Sequence, residues 1–152
     1  ENIGPGSCYQ FAQLRISPSG QYVAFQDISG GVDSKVSLYV LSYDKAYGLG
    51  VYGTSNIFGI EFLPDDRLLV SNGFKDTQPP EQNLTILNIP EMVKGLPADA
   101  EWYTNQKFDS YIKNLDITGL DHVYEFLVIT DSDVQIKDAQ GKIGRSFSLS
   151  SL

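Results

Sequence analysis

The stretch that decides the fold is Ile16-Ser17-Pro18-Ser19-Gly20-Gln21-Tyr22-Val23-Ala24-Phe25. A short alternating run, Leu14-Arg15-Ile16, enters a turn in which proline fixes φ and glycine accepts a positive φ. An aromatic and β-branched run, Tyr22 to Phe25, leaves it. The pattern is a strand, a tight turn and a second strand.

The unit recurs. Ile60-Glu61-Phe62 leads into Leu63-Pro64-Asp65-Asp66, and Arg67-Leu68-Leu69-Val70 leaves it, so Pro18 and Pro64 stand 46 residues apart. A weaker copy runs from Leu115-Asp116-Ile117 through Thr118-Gly119-Leu120-Asp121 to Val123-Tyr124-Glu125-Phe126-Leu127, with Gly119 55 residues after Pro64. Each hairpin is followed by a further strand candidate: Val36 to Leu41, Asn83 to Leu87, and Asp133 to Ile136. Leu38 and Leu84 keep the 46-residue spacing. Fourth strands are expected at Leu49 to Tyr52, Trp102 to Phe108 and Ile143 to Leu149. Four strands per repeat of this length predict an all-β chain of about three four-stranded antiparallel blades of a β-propeller, in units of about 9–54, 55–108 and 109–152.

Helical signals are scarce, because Gly and Pro interrupt most windows of 3.6-residue periodicity. Residues 89–101 carry Pro90, Gly95 and Pro97 and read as an elaborated loop that projects from the ring, with at most one helical turn around Glu91-Met92-Val93. A second loop, 75–82, holds Pro79-Pro80. Three blades leave open sheet edges, which natural proteins avoid, so the ring is expected to be incomplete: a piece of a larger propeller, or half of a ring closed by a second copy.

The motif Ile16 to Phe25 resembles the SPDG blade repeat of TolB-type propellers and of the N-terminal propellers of prolyl oligopeptidases. Phe62-Leu63-Pro64-Asp65-Asp66-Arg67-Leu68-Leu69-Val70 is similar to it. Ser19 stands where that repeat has Asp, Asp66 where it has Gly, and the third copy lacks the proline. The resemblance implies a rigid ring that displays loops to a protein or peptide partner. Its alternative implication is a propeller that filters substrates for a serine hydrolase domain lying outside this chain.

Composition narrows the partners. A net charge of −8 and a pI near 4.4 oppose non-specific binding to nucleic acid or anionic lipid. No apolar run reaches the roughly 20 residues of a membrane span. The single cysteine, Cys8, excludes an intrachain disulfide and a thiolate zinc cluster. It leaves the compartment open, with a periplasmic or extracellular location preferred over the cytoplasm. The chain begins at Glu1 and not Met, so it is expected to be processed or trimmed, which leaves room for a signal peptide or an anchoring segment ahead of it.

No catalytic, cofactor or metal residues are assigned. Gly48-Leu49-Gly50-Val51-Tyr52-Gly53 spells a dinucleotide-binding pattern, but a strand follows it in place of the helix whose N-terminus would hold phosphate. His122 is the only histidine and falls on a turn, and G-x-S-x-G is absent. Asp65-Asp66 and Asp131-Ser132-Asp133 lack EF-hand spacing and read as acidic turns. Asn83-Leu84-Thr85 is a glycosylation sequon inside a strand. The strand aromatics, among them Tyr22, Phe25, Tyr39 and Phe62, are assigned to packing. The function expected is a non-catalytic binding or scaffolding module.

Overall fold

The computed structural model describes residues 11–27, 35–49, 56–74, 81–96 and 109–152. They form an all-β structure of three antiparallel sheets. The first, in the order β1-β2-β3-β4, comprises Phe11–Ile16, Tyr22–Asp27, Lys35–Val40 and Lys45–Leu49. The second, β5-β6-β7-β8, comprises Asn56–Phe62, Leu68–Phe74, Glu81–Leu87 and Ile112–Asn114. The third has three strands, β9 (Leu127–Ile129), β10 (Asp133–Lys137) and β11 (Ile143–Ser148). One α-helix, α1 (Ile89–Lys94), follows β7.

The two proline turns are built alike. Gly20 donates to Ser17 O and Asp66 donates to Leu63 O, and both Gly20 (φ 72°) and Asp66 (φ 65°) are left-handed. The first turn is one residue longer: Ile16 pairs with Val23, whereas Phe62 pairs with Leu68. That insertion lowers the spacing to 45 beyond the turns, and a longer span between β6 and β7 than between β2 and β3 then raises it to 48. Arg15 pairs with Ala24 and Ala24 with Leu38, while Glu61 pairs with Leu69 and Leu69 with Ile86. Leu38 therefore corresponds to Ile86 and not to Leu84, and the 46-residue spacing holds only up to the turns.

The second sheet is buried on both faces. Leu68 and Val70 join a core with Ala24, Leu38 and Tyr47 of the first sheet, while Leu69, Leu84 and Ile86 join one with Val134 and Ile136 of the third. Leu68, Leu69 and Val70 are each at most 1% exposed. Burying each such side chain contributes about 1.5–3 kcal/mol. An uninterrupted apolar run in a strand thus reports a sheet lying between two others.

Segment 89–96 is a correction. Asn88 caps the helix, its Oδ1 accepting from Glu91 N, and Pro90 sits in the first turn where no N–H is needed. Ile89, Met92, Val93 and Leu96 fall on one helical face and are all buried in the first core. The segment packs inward and does not project.

The second unit also runs past its expected end, since β8 at 112–114 is its fourth described strand. The strand expected at Trp102 to Phe108, residues 50–52 and most of the 75–82 loop lie outside the described residues. In the third unit Leu115 to Ile117 is not a strand: Leu115 N donates to Leu84 O of β7, and the Asp116 and Thr118 carbonyls accept from the Arg145 guanidinium. Val123–Glu125 is a 3-10 turn following left-handed His122, and Val123 N donates to the Gln82 side chain. The strand begins only at Leu127, which leaves this sheet one strand short of four.

Candidate functional site

The first strands of the first two sheets lie side by side. Each carries a register shift, between Ala12 and Arg15 in β1 and between Ile57 and Gly59 in β5. At the first shift Gln13 adopts a left-handed backbone (φ 54°), a conformation costing about 1–2 kcal/mol for a residue with a Cβ. Its side chain spans the second shift: Nε2 donates to Phe58 O at 3.2 Å, and Oε1 accepts from Ile60 N at 3.1 Å. Two residues on, Arg15 Nε donates to Glu61 Oε1 at 2.8 Å. At the turns, Ser19 N donates to Asp66 Oδ1 at 3.0 Å. A polar seam therefore ties one repeat to the next.

That seam borders a recess of about 330 Å³. Gln13 and Arg15 of β1, Gly59 and Glu61 of β5, Ser71 of β6 and Leu127 of β9 line it, with Phe58 and Leu69 adding apolar surface. Gly59 keeps the wall thin, since a Cβ there would lie 3.2 Å from Ser71 Oγ. The charged groups are 39% and 46% exposed, so their pair contributes about 0.2–1 kcal/mol and leaves the recess near neutrality. Ser71 is buried and its hydroxyl makes a long 3.4 Å hydrogen bond to Gly59 O. The lining offers an amide, a hydroxyl and an ion pair over an apolar floor. Such a surface suits recognition by hydrogen bonding and packing.

Two other depressions draw on fewer sheets. One of about 460 Å³ lies beside Arg67, Asn88, Glu91, Tyr111 and Lys113. Arg67 is 8% exposed, its Nε donating to Asp65 Oδ2 at 2.8 Å and its Nη2 to Leu149 O at 2.7 Å. The other, about 270 Å³, is lined by His122, Phe126, Lys137 and Asp138.

The residues singled out in the sequence do not converge on the recess. Gly48 is an exposed residue of β4, and Gly50 and Gly53 lie outside the described residues, as does Cys8. His122 is exposed in a turn, 3.5 Å from Glu125. Asp65 is held by Arg67 and Asp66 by Ser19, and Asp133 accepts from Ser132 Oγ at 3.0 Å. Among the described residues no three His, Cys, Asp or Glu side chains are grouped so as to hold a metal ion. Asn83 is exposed, whereas Thr85 is buried with its hydroxyl donated to Asn114 Oδ1. Nothing in the sequence marks Gln13, since a lone glutamine in a strand gives no sign of an inter-sheet role.

Burial, and secondarily the Asp66 carboxylate, pushes the Tyr22 phenol above its usual range. Hydrogen bonds from Thr118 pull the Asp116 carboxyl below its own. Among the described residues no helix is long and apolar enough to cross a membrane. No protein-family model, curated protein or solved structure matches the chain.

Proposed function

We propose that the three sheets are consecutive blades of an incomplete β-propeller of the TolB or prolyl-oligopeptidase type, and that the chain is a non-catalytic binding or scaffolding module for a protein or peptide. The observation that carries this reading is the recess itself, which β1 and β5, the first strands of the first two sheets, line beside Leu127 of β9. In a propeller the inner strands of successive blades line the central channel. The matching proline turns and the seam joining equivalent positions of β1 and β5 support the repeat. The ion pair leaves little net charge to repel a ligand's main chain, and the apolar floor offers burial.

Selection of phage-displayed peptides on the immobilised chain tests the module. Binders whose retention drops with Arg15→Glu and with Phe58→Ala support it. Binders indifferent to both substitutions, or a selection without enrichment, overturn it.

A further inference from the structure

Among the described residues the third sheet has three strands where the others have four, and the position of a fourth can be located. In the first pair of sheets β5 packs against β1 and β2. By register, Glu61, Leu69 and Ser71 of the second sheet stand where Arg15, Ala24 and Gln26 stand in the first. A strand doing for the third sheet what β5 does for the second would lie over β5 and β6, against those three residues. Glu61, Leu69 and Ser71 are lining residues of the recess, and Leu127 of β9 forms its other wall. The recess is the space that such a strand would fill.

The edge of β9 borders that space, and among the described residues nothing bonds the N–H and C=O groups on that side. Thr130 N donates to Asp133 O and Lys137 N donates to Phe126 O. Hydrogen-bonded pairs alternate along an antiparallel ladder, so Val128 bonds to Gln135, while the N–H and C=O of Leu127 and Ile129 point away from β10. Among the described residues no strand pairs with that side of β9. An unpaired row of this kind is a template for an added strand.

Resting on the binding-module reading, we infer that the recess takes an extended peptide segment, which joins the third sheet as its fourth strand through main-chain hydrogen bonds to Leu127 and Ile129. Alternate side chains of that segment would meet the partly buried Phe58 and Leu127, so an aliphatic residue at every second position is the matching chemistry. Basic or neutral residues between them suit a chain with a net charge of −8.

The test uses an acetylated, amidated hexapeptide alternating valine with threonine or lysine, and two counterparts N-methylated at alternate residues, one in each phase. Binding to the full chain is followed by fluorescence polarisation, and amide hydrogen exchange by NMR. A single bonded edge predicts that one methylated phase loses roughly tenfold or more in affinity while the other binds as before. It also predicts that the Leu127 and Ile129 amides slow on binding. Peptide binding that ignores methylation, with protection elsewhere, overturns strand addition and leaves the binding-module reading standing. No binding of any peptide to the recess overturns both. Leu127 and Ile129 amides already slow in the free protein overturn it as well, and sedimentation then tells whether a second copy or the chain itself holds the edge.

Discussion

Arg15 and Glu61 occupy the same place in successive repeats, yet they meet, with Nε donating to Oε1 at 2.8 Å. Two neighbouring strands, β1 and β5, carry opposite charges at one position of the sequence repeat, so the seam between sheets is written as a contrast between repeats. Both side chains are more than a third exposed. Solvent screening limits such a pair to the low end of ion-pair strengths. A double-mutant cycle with Arg15→Ala and Glu61→Ala, read by urea unfolding, is expected to give a coupling of about 0.2–1 kcal/mol that shrinks as salt is added. A coupling of zero at low salt would show that the two side chains do not pair in solution.

Leu68 and Leu69 are adjacent in β6 and serve different cores. A sheet covered on one side only would tolerate truncation of every second residue. Here Leu68→Ala and Leu69→Ala are each expected to cost about 2–5 kcal/mol, because both leave cavities in packed interiors. Ile143→Ala, at a side chain 48% exposed, should stay within about 0.5 kcal/mol. A mild effect at either leucine, measured by chemical denaturation, would mean that one face of the second sheet is open.

The strand content and the first two turns were legible because they rest on local chemistry: Pro18 and Pro64 preset φ, and apolar residues alternate on either side. Register was not. Gln21 adds one residue to the first turn, which cuts the spacing from 46 to 45, and Leu69 and Ile86 then stand three residues further apart than Ala24 and Leu38, so Ile86 and not Leu84 is the counterpart of Leu38; both changes are visible only through cross-strand pairing. The helix at Ile89–Lys94 was obscured by Pro90, which breaks helices internally but is accommodated in the first turn, where it sits here. The recess was hidden for a different reason. Gln13 acts through a left-handed backbone and a partner 45 residues away, and neither leaves a mark in the local sequence.

Two strand glycines separate backbone need from mere occupancy. A Cβ on Gly73 would lie 1.8 Å from the Glu81 carbonyl oxygen and 2.7 Å from its carbon, both in the backbone of β7. The paired strands would have to part. Gly73→Ala is expected to cost about 1–3 kcal/mol or more, with the loss appearing in thermal and urea unfolding alike. Gly48 has nothing within 4 Å of the same position and no left-handed φ. Gly48→Ala should therefore stabilise the protein by about 0.5–1 kcal/mol through the entropy of the unfolded chain. Equal destabilisation by both substitutions would sink the distinction.

Tyr47 is 1% exposed, and its hydroxyl has no hydrogen-bond partner among the described residues. A buried phenol in that state loses its hydration without replacement, a penalty of about 1–3 kcal/mol. Tyr47→Phe removes the hydroxyl and keeps the ring, so it is expected to raise stability by about 1 kcal/mol at neutral pH. Burial, and to a lesser extent Tyr43, also pushes the Tyr47 phenol above its ordinary value. The folded state then holds this proton more tightly than the unfolded state does. Stability is full below about pH 10, where both states are protonated, and falls as the pH rises from there through the raised folded value. Unfolding followed between pH 8 and 11 should therefore show a steeper alkaline loss for the natural protein than for Tyr47→Phe. Parallel curves would mean that Tyr47 ionises freely in the folded state and that its hydroxyl reaches solvent.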